Sequence, residues 1–410
     1  MRALKISVLA AIAFQAVGYA QETKSPFSLD GEFRPRTEWR DSGFSKTALE
    51  GAEGYFRTDA RVRLGAGYKT ESIHTYLLLQ EVFVFGDRAQ TATKGNDNFR
   101  VQEAWADIKL TSKSTFKVGR QTLSYDDQRI LGALDWAQQS RTHDVGVFKL
   151  NENGYVFDAG FAVNSDGQDN LYNTAAGFSY KNMVFAHLNK QFGQFNMSLL
   201  VLGNEFQDAT DPDALGPLLP SDNKSFLKTA GVHLDYTFDI LKLSANGYVQ
   251  DGYRLNDIAV DNAYLVSLDA AFKLSEVFGA TLGAEIISGK DDSSVGFFPL
   301  YGTNHKFNGG MDRFYVGNYA NANGLVDLHA GLSANLKNDF SVGLDVLYFT
   351  EQSQTKEYMG TELDFVIGKK FNGYALKGGY SQFFEPSRIT NDKGNQNWAW
   401  LMLVVKPKFL

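Results

Sequence analysis

The chain of 410 residues contains no cysteine. Disulfide bonds, thiol catalysis and thiolate metal sites are therefore excluded. After residue 20 there is also no apolar run long enough for a membrane-spanning helix, which needs about 20 residues. If such a chain is exported, its stability has to come from elsewhere, and a closed hydrogen-bonded barrel would supply it.

The N-terminus has the order of a cleavable secretory signal. Arg2 and Lys5 form a short basic start, an apolar stretch follows over residues 6–17, and small residues occupy the positions before the expected cleavage point. The apolar stretch is too short for a stop-transfer helix. We expect residues 1–20 to be removed and residues 21–410 to form a single domain.

The balance of charge argues against one class of partner. Removing Arg2 and Lys5 from the 40 basic residues leaves 38 against 47 acidic residues, a formal charge of −9. Nucleic acid is bound by net-basic surfaces. We therefore expect no nucleic-acid partner.

The composition is unusual for a soluble globule. Aromatic residues make up 14% of the chain and glycine accounts for 39 residues, yet the mean hydropathy is −0.27. A membrane protein is this polar only if every second residue faces water, as in transmembrane strands. Residues 57–68 show that period of two, because Arg57, Asp59, Arg61 and Arg63 alternate with small and apolar residues.

This alternation predicts about 18 strands between residues 28 and 408. The connectors alternate in length, and 206–227 and 252–262 are two of the predicted long ones. Outer-membrane barrels have an even number of strands, short periplasmic turns and long outer loops. The sequence therefore predicts an all-β fold, a single antiparallel barrel in a bacterial outer membrane with both termini periplasmic. A soluble β-sandwich is the alternative, although it would not need so many outward aromatic residues.

The last predicted strand and the tail after it, residues 397–410, are apolar and contain several aromatic side chains. Segments of this kind act as barrel assembly signals. In such signals the last residue is usually aromatic, whereas here the aromatic Phe409 is the last residue but one. Pro407 is tolerable at a strand end. We expect the barrel assembly machinery to be a partner through this segment, and outer-membrane lipid to surround the barrel.

The densest motif lies in residues 98–150. It consists of Gly119-Arg120-Gln121, Tyr125-Asp126-Asp127-Gln128-Arg129, Gly132, Trp136 and Arg141-Thr142-His143-Asp144. In order and spacing this resembles the alginate export outer-membrane proteins, whose pattern is a Gly-Arg-Gln strand end, a Tyr-x-Asp-Gln-Arg loop, a glycine and a tryptophan, and Arg-x-x-Asp. Residues 299–318 resemble the long loop of that family's Bacteroidetes-type members. Elsewhere the resemblance is architectural.

The resemblance implies an 18-stranded barrel with an arginine-rich constriction for a uronate polyanion. The motif arginines are Arg120, Arg129 and Arg141. The chemistry agrees, because a guanidinium group matches a carboxylate in shape and stays charged, and a ring of such groups in a pore selects anions.

More arginines alternate on the first two predicted strands and are expected in the lumen: Arg34, Arg36, Arg40, Arg57, Arg61 and Arg63. The acids expected on the same face are Asp30, Glu32, Glu38 and Asp59. The local lumen is therefore expected to be net basic. The alternative for each arginine is a structural role, since lumenal arginines also brace a wall by pairing with acids across strands. Arg129 with Asp126 or Asp127 is one such possible pair.

The long segment 289–323 is rich in aromatic residues. If it folds into the pore, Tyr301, His305 and Lys306 are expected to contact the solute, because aromatic rings stack on the apolar faces of sugars. The alternative is an outer lid packed on its neighbours. The Asp-rich segments 166–169 and 208–213 lack the full spacing of a calcium loop, which favours solvated loops over calcium sites.

Catalytic motifs are weak in this sequence. The six histidines show no metalloprotease spacing, and no Gly-x-Ser-x-Gly is present. Ser140, His143 and Asp144 form one local trio, but neighbours on a strand point to opposite faces. We expect no enzyme, no cofactor and no metal site.

The leading hypothesis is a channel for passive diffusion or export of polar, anionic saccharides such as alginate-like uronates, or of another small polar solute. A general, weakly selective porin is the second hypothesis. A barrel-embedded enzyme or a plugged surface protein is the third.

Overall fold

The computed structural model describes nine ranges of the chain: 25–41, 54–87, 98–164, 180–210, 219–290, 294–314, 323–353, 356–385 and 396–410. Side chains are described over the same ranges except 209–210 and 219–222. The predicted signal segment 1–20 and the Asp-rich segment 166–169 lie outside them.

Eighteen strands build one sheet. They are β1 (Phe27–Arg40), β2 (Tyr55–Lys69), β3 (Ile73–Val84), β4 (Arg100–Lys109), β5 (Ser114–Gln121), β6 (His143–Glu152), β7 (Tyr155–Val163), β8 (Asn182–Phe192), β9 (Phe195–Thr210), β10 (Leu219–Phe238), β11 (Leu241–Arg254), β12 (Ile258–Lys273), β13 (Phe278–Ile287), β14 (Leu325–Leu336), β15 (Phe340–Thr350), β16 (Tyr358–Phe371), β17 (Tyr374–Phe384) and β18 (Gln396–Val405). Within the described ranges two single-turn 3₁₀ segments, Asn304–Lys306 and Lys337–Asp339, lie between strands. Within the described ranges no helix is long and apolar enough to cross a membrane.

The sheet closes on itself. Consecutive strands pair antiparallel, and β1 pairs with β2 on one side and with β18 on the other, where Phe33 lies opposite Val405. Beyond β18 the backbone stays beside β1, because the N–H of Phe409 donates to the carbonyl of Leu29 at 2.8 Å. Closure leaves no unpaired sheet edge. The predicted closed antiparallel barrel of about 18 strands is confirmed.

The two faces of the wall differ as the period of two predicts. On β2 the side chain of Arg61 is fully buried inside the barrel, whereas its neighbours Val62 and Leu64 are about 40% exposed on the outside. Similar outward apolar side chains occur on the other strands, among them Phe116, Phe161, Val184, Val249, Leu268, Leu332, Phe365 and Leu401. An apolar exterior around a polar interior is the arrangement expected of a barrel in lipid.

The connectors are short at one end of the barrel and longer at the other. We call the end with the turns at 70–72 and 110–113 the turn end, and the opposite end the loop end. Two connectors are shorter than predicted: the ladder runs to Thr210 and resumes at Leu219, and only residues 255–257 separate β11 from β12. At the second of these the pairing register shifts at Gly252, whose φ is +119°. Such a bulge lets a ladder continue through polar residues that do not alternate cleanly.

Two long connectors of the loop end fold into the lumen and pair with each other. The N–H of Gly132 donates to the carbonyl of Tyr301 at 2.8 Å, and the N–H of Tyr301 donates to the carbonyl of Ile130 at 3.1 Å. The N–H of Thr303 extends this bridge to the carbonyl of Gln128 at 2.9 Å. We refer to residues 122–142 and 294–314 together as the partition, because they lie across the interior.

The hydrophobic core lies where the partition meets the wall. One cluster joins partition residues to inward side chains of β6–β12; it includes Leu123, Ile130, Leu131, Val145, Val147, Phe185, Leu200, Leu202, Phe206, Leu227, Tyr248, Phe298, Leu300 and Tyr301. A second cluster lies against β15–β18 and includes Met311, Phe314, Phe349, Phe383 and Trp398. Part of the inner wall is therefore apolar, because two loops rather than water cover it.

Candidate functional site

The partition lies between two cavities in the lumen. The loop-end cavity, of about 500 Å³, is lined by side chains of β1–β3, by Leu134 and by residues 136–139. The turn-end cavity, of about 920 Å³, is lined by side chains from most of the wall between β7 and β18. His305 lines both. Volumes of this order accommodate small-molecule solutes.

Two arginines of β1, Arg34 and Arg36, hold the partition rather than face open water. Arg34 donates to the backbone carbonyls of Asp135 at 2.6 Å, Trp136 at 3.2 Å and Ala137 at 3.2 Å, and to the side-chain oxygen of Gln138. Arg36 donates to the carbonyl of Trp136 at 2.8 Å and stacks on its ring at 4.2 Å. Both arginines are buried. They donate hydrogen bonds to backbone carbonyls of the loop, because these carbonyls have no partner in a strand ladder.

Two arginines of β2, Arg61 and Arg63, converge on one carboxylate of the partition. Asp135 lies 3.0 Å from Arg61 and 3.4 Å from Arg63, and Arg34 of β1 approaches it to 3.6 Å. Burial alone would raise the pKa of Asp135, but the three guanidinium groups outweigh burial and hold it below its usual value. Arg61 also pairs with Glu32 at 2.5 Å. Of the two expectations for these residues, bracing describes Arg34, Arg36, Arg61 and Arg63.

Arg57 remains in a position to meet a solute. Its side chain is 53% exposed, lines the loop-end cavity and pairs with Asp59 at 2.8 Å. Arg40 lines the same cavity, where it pairs with Glu38 at 2.7 Å. This cavity therefore presents arginines that are already partly neutralised.

Arg120 is placed on the other face of the wall. On β5 it shares the outward side with Phe116 and Val118, while Gln121 points inward and is buried. It makes a two-pronged ion pair with Asp144, at 2.7 and 2.8 Å, across the β5–β6 ladder. The expectation that Arg120 lines the pore is not met, because a strand alternates its faces and the motif puts this arginine on the outward one.

The other two motif arginines serve the partition. Arg129 is buried, forms an ion pair with Glu285 of β13 and lies 3.5 Å from the ring centre of Phe307. Burial lowers its pKa to about 10. Arg141 donates to the carbonyl of Gly302 at 3.0 Å and so ties one half of the partition to the other.

The three residues expected on the long loop have different positions. Tyr301 is buried and donates its hydroxyl to Asn204 at 2.8 Å, so it docks the loop to the wall. His305 stacks on Trp136 at 4.2 Å, with its Nδ1 2.9 Å from Asp312. Lys306 lines the turn-end cavity and donates to the carbonyl of Asp127 at 2.8 Å. The described part of this segment thus lies inside the barrel.

The turn-end cavity is rich in acids. Nine carboxylates line it, whereas lysine and arginine together contribute three side chains and histidine contributes four. The lumenal charges predicted from the sequence lie on β1–β2, and this acidic wall was not predicted. The signal was present, because His233 and Asp235, Ser267 and Asp269, and Asp327 and His329 also stand two residues apart on their strands.

Most of these acids already have partners. His329 lies 2.8 Å from Asp269 and 3.3 Å from Asp327. His187 lies 3.0 Å from Asp126 of the partition. Burial would raise the pKa of Asp126, but the hydrogen bond from His187 and the electrostatic interaction with that ring lower it overall. The cavity is thus acidic and already hydrogen-bonded.

Asp345 differs from the other acids of the cavity. It is exposed to the lumen and stands directly opposite Asp364 across the β15–β16 ladder. Within the described ranges no hydrogen bond or ion pair engages it. Like charges placed opposite each other weaken a ladder, so Asp345 is not explained by wall stability.

The local trio of possible catalytic type is not assembled. His143 is buried with its Nδ1 3.1 Å from the hydroxyl of Tyr180, Asp144 pairs with Arg120 on the outer face, and Ser140 accepts a hydrogen bond from Arg63. Among the described residues no group of three or more acids and histidines has the geometry of a metal site. Asp208, in the second Asp-rich segment, accepts hydrogen bonds from Ser225 and from the backbone of Asn256.

No family model and no curated protein sequence matches the chain. Solved structures do resemble it. The outer membrane protein opdK from Pseudomonas aeruginosa is 11% identical, with a TM-score of 0.63 over 93% of this chain and 99% of that chain. OccAB4 from Acinetobacter baumannii is 12% identical, with a TM-score of 0.65 over 95% and 99%. OccK11 (OpdR) from Pseudomonas aeruginosa is 11% identical, with a TM-score of 0.62 over 96% and 100%.

These likenesses define the class of the fold, an 18-stranded barrel of the outer-membrane type, and extend over nearly the whole chain. At 11–12% identity they carry the fold alone. The narrower resemblance to the alginate export family has no family match behind it.

Proposed function

We propose that the protein is an outer-membrane channel through which small polar solutes diffuse passively. The observation that carries the proposal is the pair of cavities inside a closed barrel. Both have polar and charged linings and share His305 as a lining residue, whereas the outside of the wall is apolar. Eighteen-stranded barrels are wide enough to hold an aqueous channel.

The orientation follows from the same proposal. In outer-membrane barrels the short turns face the periplasm and the long loops face outward, which puts both termini in the periplasm. Residues 397–410 would then be available to the barrel assembly machinery from the periplasmic side. An epitope tag at the C-terminus should be inaccessible to antibody on intact cells and accessible after the outer membrane is permeabilised. Labelling of intact cells would contradict this orientation.

A narrower form of the proposal names the solute as an anionic saccharide of the alginate type. Its support is the resemblance of residues 98–150, together with Arg40 and Arg57 in the loop-end cavity. The acidic lining of the turn-end cavity opposes it, because a uronate would have to pass nine carboxylates. A general, weakly selective channel is the form that remains if uronates show no preference.

One observation favours the alternative of a barrel with a closed lumen. The partition spans the interior and is tied together by backbone hydrogen bonds of 2.8–3.1 Å. If it leaves no path past His305, the protein is a structural barrel or a barrel-embedded enzyme rather than a channel.

Single-channel recording in planar bilayers separates these functions. We expect the mature, refolded protein to form an open pore of low conductance. Anion selectivity with block by uronate oligomers would support the alginate-type form, and conductance without such block would leave a channel for other polar solutes. Absence of conductance in a protein that shows the heat-modifiable gel mobility of a folded barrel would overturn the channel proposal.

A further inference from the structure

One tryptophan of the turn-end cavity lies flat against the wall. Trp400 of β18 stands opposite Gly379 of β17. A Cβ built on Gly379 would lie 2.3 Å from the indole Nε1 and 2.4 Å from Cε2. The ring therefore rests on the backbone of the neighbouring strand, and glycine is the residue that leaves it room to do so.

Each of the other lumenal indoles is either buried or has a cationic side chain over its ring. Trp136 has Arg36 at 4.2 Å and His305 stacked at 4.2 Å. Trp398 is 1% exposed. Trp105, near the turn end, has the ammonium of Lys117 at 3.6 Å from its ring centre.

Among the described residues, the aromatic rings beside Trp400 are those of Trp136, at 4.9 Å and 76°, and Trp398, at 6.2 Å and 36°. Within the described ranges no cation lies over it, and it lines the cavity.

The lumenal surface of the wall beside Trp400 includes two glycines. In the ladder register the row that contains Trp400 continues through Gly379 and Val366 to Gly343. No atom lies within 4 Å of a Cβ built on Gly343, so the space above it is open. We call the row Gly379, Val366 and Gly343 the floor of this part of the cavity. A six-membered ring can lie on the floor with one face against the indole of Trp400.

The adjacent row supplies hydrogen-bond acceptors. Two residues further along the strands, and so roughly 7 Å away, the row runs from Ser381 through Asp364 to Asp345. Asp364 is buried and already accepts hydrogen bonds from the hydroxyl of Ser381 and from the N–H of Gly310, the latter at 2.8 Å. Asp345 faces the lumen with no described partner, and carboxylate oxygens accept hydrogen bonds from hydroxyl groups.

We propose that Trp400, with its floor and the acceptor row, is a pyranose-binding site that favours neutral sugars over uronates. The site rests on the proposed channel function and names its solute class. The C–H face of the sugar packs on the indole, and sugar hydroxyls donate to Asp345. A uronate carboxylate at the same place would meet like charge. The site therefore discriminates by the sign of the solute's charge.

Current block by sugars tests the site. Maltotriose, a neutral trisaccharide, should block the wild-type channel at a lower concentration than trigalacturonate does. Trp400→Ala should raise the half-blocking concentration of maltotriose by about threefold to tenfold, the effect of losing one aromatic contact. Trp400→Phe keeps an aromatic face and should stay within about twofold of wild type.

Two matched variants sharpen the test. Trp39→Ala removes a tryptophan from the outward face of β1, where it is 41% exposed, and should leave the block unchanged. Asp345→Asn removes the charge but keeps an acceptor, and should bring the half-blocking concentration of trigalacturonate down toward that of maltotriose. Equal block of wild type and Trp400→Ala, or stronger block by trigalacturonate than by maltotriose in wild type, would overturn the site.

Failure of the channel and failure of the site are distinguishable. If the wild-type protein does not conduct, the proposed function fails, and the site is tested by maltotriose titration of the detergent-solubilised protein with tryptophan fluorescence as the readout. Binding that Trp400→Phe retains and Trp400→Ala weakens would still support it. If the wild type conducts but maltotriose neither blocks nor binds, the channel stands and the site is refuted.

Discussion

Arg34→Met tests whether the arginines of β1–β2 hold the partition or attract solute. The guanidinium group of Arg34 donates to the carbonyls of Asp135, Trp136 and Ala137 and to the side chain of Gln138. Methionine matches much of the volume of arginine but has no donor. The substitution therefore removes the five hydrogen bonds that Arg34 donates to four acceptors of the partition, and it leaves the barrel ladder intact.

The size of the effect follows from those contacts. A hydrogen bond contributes roughly 1 kcal/mol net, and more when a charged group donates. Four acceptors give about 4 kcal/mol, of which water entering the vacated space returns a part, so about 2–3 kcal/mol of docking free energy is lost. This lowers the ratio of docked to released partition by roughly 30- to 150-fold. Global stability should change little, because a loop can open locally in an otherwise folded protein.

Two assays report the release. Single-channel traces of Arg34→Met should show a larger mean conductance and more open-channel noise than wild type. Trypsin should cleave after Arg129 or Arg141, which lie within the partition, while the barrel keeps its heat-modifiable mobility. Arg57→Met is the matched control, because it removes one positive charge from the neighbouring strand and breaks only an exposed ion pair with Asp59, worth about 0–1 kcal/mol.

The comparison of the two variants gives a clear refutation. If Arg34→Met and Arg57→Met change ion selectivity alike and neither changes noise or trypsin sensitivity, Arg34 acts through its charge and the bracing role is wrong. If both variants become noisy, the loss of any one arginine disturbs the lumen, and the specific contacts to residues 135–138 do not explain it.

The remaining predictions concern other parts of the lumen and wall. The pKa of Asp135 is lower in the folded protein than its ordinary value. Asp135 therefore stabilises the docked partition fully above the ordinary carboxyl pKa, and this effect is lost as pH falls through the lower folded value. Open-channel noise should stay constant from pH 8 to 5 and rise only below about pH 4, and a rise near pH 6 would contradict this. Arg120→Ala, on the outer face opposite Asp144, should leave the reversal potential in a salt gradient unchanged, and a shift would place it in the pore. His305→Ala removes the ring that lines both cavities and stacks on Trp136, so conductance should increase; an unchanged conductance would put the narrowest point elsewhere.

The partition explains why a net-acidic protein concentrates arginine on its first two strands. Backbone carbonyls of a loop inside a barrel have no ladder to pair with, and a buried unpaired carbonyl destabilises the fold. Arginine carries five donors on one planar group, so Arg34 alone serves three carbonyls. Asp135 then balances the charge that this concentration of arginine creates.

The strand pattern was readable in the sequence because it depends on a local rule. Residues of one strand alternate between lipid and lumen, so Arg61 and Val62 reveal two faces without any knowledge of the fold. The lengths of the connectors were harder to predict from the sequence. The loop was predicted over residues 252–262, whereas in the structure it comprises only residues 255–257. A bulge at Gly252 restores strand pairing where the alternation breaks.

The candidate site was readable only in part. His305 and Lys306 were expected to meet the solute, and both line the turn-end cavity. Tyr301 was expected beside them, but it is buried against Asn204, because nothing in a loop sequence distinguishes a ring that faces solute from one that docks the loop. The platform at Trp400 depends on Gly379, which is 21 residues away in the chain and becomes a neighbour only through the ladder register.

By itself the sequence determined the architecture: a cysteine-free chain whose period of two closes into a barrel of 18 antiparallel strands. That rule is local, since each side chain chooses lipid or lumen by its place on its own strand. The tertiary structure decided the use of the lumen. Whether Arg34 faces solute or loop, and whether Asp345 has a partner, depends on groups more than a hundred residues away or on the opposite strand, brought together only when the ring of strands closes and the partition docks inside it.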